Sequence, residues 1–75
     1  MRQKSGAFDP EVLAIVKEFK AYRLVMGLTQ KEVAARMGVG FMSISHWEAL
    51  DRMPDMIHLR LWATALGYTL KVSIE

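Results

Sequence analysis

The chain has 75 residues, 52% of them hydrophobic and none of them cysteine. That length fits one domain and excludes a multidomain chain, and the missing cysteines exclude a disulfide framework and a thiolate metal site. Ten Lys/Arg against eight Asp/Glu leave a net charge of +2, a bias compatible with nucleic acid but shared by many inert domains.

A chain this short buries only about 60–65% of the surface its unfolded form exposes, so its core is small. Its apolar content is nevertheless above the ordinary share, which excludes disorder and points to a second buried surface such as an oligomer interface. The charge is uneven: residues 1–36 hold seven basic and four acidic groups, and residues 37–75 hold three and four. No apolar run approaches the roughly 18 residues of a membrane span. Arg2 and Lys4 precede no apolar stretch, so no signal peptide is expected. The expectation is a soluble cytoplasmic protein, nucleoid-associated if it meets DNA.

Residues 1–8 lack periodicity and include Ser5-Gly6. They are expected to form a flexible arm ahead of a domain at 9–67. Asp9-Pro10-Glu11 starts a helix, because Asp accepts from free N–H groups, Pro fits the first helical position and Glu suits the positive end of the dipole. Val12, Ile15/Val16, Phe19, Tyr22/Arg23 and Met26 then recur at helical spacing, and Gly27 closes the helix. Thr29-Gln30-Lys31-Glu32 is an S/T-x-x-E capping box. It opens a short helix with Val33, Ala34 and Met37 inward, ended by Gly38. Only Gly38-Val39-Gly40 separates it from the third helix, Phe41 to Ala49. Leu50 to Pro54 reads as loop. Asp55 caps a fourth helix, Met56 to Leu66, with Met56, Leu59, Ala63 and Leu66 on its inward face and Gly67 at its end. In the tail, Tyr68, Leu70, Val72 and Ile74 alternate with Thr69, Lys71, Ser73 and Glu75, the pattern of a strand with one apolar face. The chain offers no second strand. A lone strand leaves its edge unpaired, so residues 68–75 are expected to pair antiparallel with another copy across a dimer.

The fold class expected is therefore mainly α, four helices with one C-terminal strand. The informative stretch is Thr29 to Trp47. Ala34 must be small where two helices cross, Gly38 supplies a positive-φ turn, and Ile44 and Trp47 lock the third helix over the second. That is the helix-turn-helix arrangement, in which the second helix of the pair shows its outer face to a major groove.

Here the chain resembles the phage-repressor family of helix-turn-helix proteins, the Cro/CI-like or XRE-type domain. The resemblance rests on Arg23, Thr29-Gln30, Val33-Ala34, Gly38-Val39, Ile44-Ser45 and Trp47-Glu48, followed by Pro54, Leu59, Ala63 and Leu66-Gly67. It covers residues 10–67. It implies that Gln30 touches backbone phosphate and braces the recognition helix, and that Arg23 and Glu48 form a structural salt bridge. It places Ser43, Ser45 and His46 where the recognition helix faces the groove, their alternative being a solvated polar face. Two positions depart from the family pattern. Gly40 stands where a capping Ser or Thr is usual, and Phe41 and Met42 stand where hydrogen-bonding side chains often read bases. Phe41 and Met42 have three readings: packing on thymine methyl groups, an exposed patch that binds protein, or core.

The function expected is a sequence-specific regulator of transcription, a repressor, binding double-stranded DNA as a homodimer on a near-palindromic operator. Gln30, Lys31 and Arg52 would hold phosphates, and the Arg2/Lys4 arm would reach the backbone or minor groove. The strand tail is also similar to that of small antitoxins, so the alternatives are an antitoxin with a toxin partner, or a protein-interaction module using Phe41 and Met42. An enzyme is not expected: His46 and His58 lie on different helices with no acidic partner poised beside either, and Ser43, Ser45 and Ser73 have no base at elbow spacing. No cofactor, metal or membrane partner is expected.

Overall fold

The computed structural model describes residues 9–68. Four helices follow one another: α1 (Pro10–Met26), α2 (Gln30–Met37), α3 (Phe41–Glu48) and α4 (Met56–Ala65). No strand occurs among the described residues. The fold is mainly α. Apart from Tyr68, the strand expected at 68–75 lies outside the described residues, as does the arm at 1–8.

Each helix start is written in side-chain chemistry. Asp9 accepts from the backbone N–H of Glu11 at 2.8 Å and of Val12 at 3.4 Å, with Pro10 in the first turn. Thr29 and Glu32 complete the capping box, the Thr29 hydroxyl accepting from Glu32 N–H at 3.0 Å and the Glu32 carboxylate from Thr29 N–H at 2.8 Å. Asp55 accepts from His58 N–H at 2.9 Å and its same oxygen lies 2.7 Å from His58 Nδ1. The backbone N–H of His58, then its ring, holds the Asp55 carboxyl below the usual carboxylate range. Only α3 starts without a side-chain cap, at Gly40.

The helix ends share one closure. Leu28 N–H bonds Arg23 O, Val39 N–H bonds Ala34 O and Tyr68 N–H bonds Ala63 O, each across a left-handed glycine at 27, 38 or 67. This six-to-one bond satisfies a carbonyl that the helix leaves free, and the residue after the glycine packs back on the helix. Leu28 and Val39 indeed lie against the core, and the Tyr68 ring rests 4.6 Å from Tyr22 and 5.9 Å from Phe19. The fourth closure, after α3, uses a leucine. Leu50 has φ 62, the one non-glycine residue with positive φ among those described, and Asp51 N–H bonds His46 O at 2.9 Å.

The core is filled from every helix: Val16 and Phe19, then Val33, Ala34 and Met37, then Ile44 and Trp47, then Leu59, Trp62 and Ala63. Trp62 is its centre. Its ring stands 5.2 Å from Phe19 and 5.4 Å from Trp47, so one side chain joins α1, α3 and α4. Its indole N–H is buried without a partner. The inward face of α4 thus differs from the sequence reading. Leu59, Ala63 and Leu66 are buried, but Met56 is 46% exposed and Trp62 takes the central place. Met56 sits in the first turn, where His58 instead packs on Trp47 of α3 at 5.4 Å. At the other end of α4, Arg36 donates to Ala65 O at 2.9 Å, which pins α2 to the negative end of the α4 dipole.

The turn between α2 and α3 yields a paired prediction. Gly38 has φ 75, and a Cβ there would meet nothing within 4 Å. Gly38→Ala should therefore cost about 1–2 kcal/mol through backbone strain alone. Gly40 has φ −75 and equally open surroundings. Gly40→Ser supplies the missing cap and should gain roughly 0.5 kcal/mol. Urea denaturation of the two variants should show shifts of opposite sign; equal shifts would mean that the turn does not depend on the left-handed residue.

Candidate nucleic-acid interface

The third helix is short, and what holds it decides what it can present. Arg23 in α1 donates from Nε to Glu48 Oε2 at 2.7 Å and from Nη2 to Oε1 at 2.8 Å. Its third nitrogen, Nη1, donates to Leu28 O at 2.7 Å. The Gln30 amide donates to Glu48 Oε1 at 3.0 Å. One carboxylate at the end of α3 therefore gathers α1, the α1–α2 turn and the start of α2. Arg23 and Glu48 are both buried. The hydrogen bond to Glu48 raises the Arg23 pKa above its usual value, against the opposing pull of burial.

With about 100° between successive residues, the buried positions Ile44, Trp47 and Glu48 define the inner side of α3. Met42, Ser45, His46 and Ala49 then occupy the outer side, with Phe41 and Ser43 on its flanks. Phe41 and Met42 are 41% and 56% exposed. They are not core, so the third reading of these two residues is set aside. Ser43, Ser45 and His46 are half-buried. The helix carries no Lys or Arg. Cations stand beside it instead. Lys31 Nζ lies 5.3 Å from the Phe41 ring centre, and Arg52 is exposed in the loop that follows α3.

Two findings depart from the sequence reading. Each histidine does have an acidic partner: His46 Nδ1 lies 2.9 Å from Asp51 Oδ2, and His58 Nδ1 lies 2.7 Å from Asp55 Oδ1. The second pair is a helix cap. Asp51 and Ala49 were not read as site residues. The sequence reading carried the helix through Ala49, whereas α3 ends at Glu48 with Ala49 as its C-cap. Asp51 has no signal of its own, because five residues from His46 is not helical spacing and its approach depends on the left-handed Leu50. Of the expected dimerisation residues, Tyr68 packs on Tyr22, while Leu70, Val72 and Ile74 lie outside the described residues. No group of three or more metal-ligating side chains gathers among the described residues.

A family model described as Helix-turn-helix matches residues 19–72, most of the chain. The chain belongs to the helix-turn-helix family. It is a DNA-binding regulator of transcription of the XRE type, and that family is not one of enzymes. No curated protein and no solved structure matches it. No helix among the described residues is long and apolar enough to cross a membrane. In the helix-turn-helix pair, α2 and α3 are the two helices, and Gly38-Val39-Gly40 is the turn.

The buried pair gives the second prediction. Glu48→Ala leaves the Arg23 guanidinium without its main partner and should cost about 3–5 kcal/mol. Replacing both at once, Arg23→Met with Glu48→Leu, should recover a large part of that loss. A double-mutant cycle by urea denaturation measures it, and a double variant no more stable than Glu48→Ala would show that the two charges do not compensate each other.

Proposed function

We propose that the protein is a sequence-specific repressor that binds double-stranded DNA as a homodimer on a near-palindromic operator. The observation that carries this reading is the outer face of α3, held from behind by Arg23, Glu48 and Gln30, exposed at Met42 and half-exposed at Ser45 and His46. In this reading α3 lies in the major groove. His46, Ser43 and Ser45 meet base edges, while Phe41 and Met42 pack on thymine methyl groups. Lys31 and Arg52, flanking the helix at its two ends, hold phosphates. Lys31 can leave the Phe41 ring for that role, since a cation–π contact at an exposed site contributes only about 0.5–1 kcal/mol. Gln30 is turned inward to Glu48, so its part is to brace α3; its remaining amide hydrogen is the one left for phosphate.

The homodimer rests on apolar surface that α1 and α4 leave uncovered. Met26 and Leu61 line a cleft beside Leu66, and Tyr22 and Tyr68 are exposed and stacked on each other. A partner copy covering that side, with residues 68–75 pairing across the two-fold axis, would set two α3 helices about 34 Å apart. A second reading is favoured by the exposure of Phe41 and Met42: a docking surface for another protein, a toxin included.

Anisotropy titration against random and selected duplexes at several salt concentrations separates these readings. DNA binding should weaken steeply with salt. Lys31→Ala and Arg52→Ala should weaken binding to all sequences alike, whereas His46→Ala should lose about 1–3 kcal/mol on the selected duplex and little on random DNA. Salt-independent binding, or none, favours the protein-docking surface. Sedimentation tests the assembly: the chain should be dimeric at micromolar concentration, and a version ending at Gly67 should be monomeric. A monomer of the full chain refutes the homodimer.

A further inference from the structure

The strained end of α3 has a chemical consequence. Leu50 adopts the left-handed conformation (φ 62) that residues with a Cβ rarely take. That turn folds the chain back, so that the N–H groups of Asp51 and Arg52 both point at His46 O, at 2.9 and 3.3 Å. It also brings the Asp51 carboxylate to His46 Nδ1 at 2.9 Å. An ionised carboxylate only accepts, so the hydrogen between them sits on Nδ1. A neutral imidazole has one N–H. With Nδ1 protonated, Nε2 is left as a lone pair, and it lies on the side of the ring away from Asp51. No hydrogen bond occupies Nε2 among the described residues, and the His46 side chain is 34% exposed on the outer side of α3.

We propose that Asp51 is a positioning residue that locks His46 with Nε2 as a hydrogen-bond acceptor, and thereby selects a base pair offering an exocyclic amino group in the major groove. Adenine N6 and cytosine N4 are the donors of that kind. The unlocked ring exchanges its hydrogen between the two nitrogens and presents a donor part of the time, which matches guanine N7 and O6 instead. The Leu50 turn and the Asp51 side chain act together: the first delivers the carboxylate, and the second sets which nitrogen reads. This inference rests on the proposed docking of α3 in the groove.

Two measurements test it, one of them without DNA. In the free protein near pH 8.5, above the ordinary histidine range of about 6.5, long-range proton–nitrogen NMR should show His46 as the Nδ1–H form. Asp51→Ala should shift it toward the Nε2–H form that free imidazoles favour, with unchanged urea stability. An Nε2–H ring in the unsubstituted protein overturns the lock. In the second measurement, duplexes randomised across two successive major-groove turns are selected with the native protein, Asp51→Ala and His46→Ala. The native protein should enrich adenine or cytosine at one position of each half-site. Asp51→Ala should lower that preference about tenfold and leave the other positions intact, while His46→Ala should abolish it. Identical selected sequences for the native protein and Asp51→Ala refute the assignment. Enrichment of no sequence by the native protein refutes base reading itself, and the NMR result then tells the two failures apart.

Discussion

A guanidinium and a carboxylate buried together hold the recognition helix in place. Removing two charges from water costs several kcal/mol per ion, and the return depends on geometry. Here the geometry is close to complete. Both Glu48 oxygens accept from Arg23, one accepts from Gln30 as well, and the remaining Arg23 nitrogen reaches Leu28 O. Such a pair contributes little net stability beyond what a well-packed apolar pair would give. What it contributes is direction. A Leu–Met contact tolerates sliding by an ångström; a side-on guanidinium–carboxylate contact does not. Because Glu48 is the last residue of α3, the far end of the helix is fixed against α1 and α2 at once.

Fixing one end matters because α3 has only eight residues. A helix of that length is unstable alone, since nucleation costs more than two turns of hydrogen bonds return. Its neighbours supply the rest. Ile44 and Trp47 fill the core from its inner side, Trp62 links it to α1 and α4, and the turn at Gly38 holds its start close to α2. The apolar residues of the inner face and the polar network at the end therefore answer different needs. Burial keeps the helix formed, and the ion pair keeps it aimed. The unpaired indole N–H of Trp62 is a cost accepted inside this arrangement, since a ring of that size is what reaches Phe19 and Trp47 together.

Much of this was legible in the chain, for reasons that can be named. The Asp9-Pro10 start, the Thr29–Glu32 box and the Asp55 cap are local, so three residues suffice to declare them. Glycine at 27, 38 and 67 marks helix ends because few other residues adopt that backbone cheaply. The inner face of α4 was harder. Leu59, Ala63 and Leu66 satisfy a periodic reading without Trp62, and only the position of α1 and α3 shows that the indole takes the centre while Met56 stays out. The Leu50 turn was not legible at all. Nothing in a leucine announces a left-handed residue, so the closeness of Asp51 and His46 had no trace in the spacing. Of the expected strand, the described residues hold Tyr68, whose ring lies on Tyr22.

The composition of the outer face bears on how such a helix can discriminate. Phosphate contacts give affinity without sequence, and their number sets the salt dependence. With no Lys or Arg on α3, that affinity has to come from cations outside the helix. A helix so poor in charge gains little from random DNA. In the proposed docking, contacts to bases then make up a larger share of the binding, which favours discrimination over raw affinity. Apolar side chains alone read only the thymine methyl group. A single oriented acceptor beside Met42 adds a second, chemically different requirement at small energetic cost. The ring of His46 meets that requirement only if its hydrogen is held on one nitrogen, and the carboxylate placed beside it by the Leu50 turn is the group that holds it there.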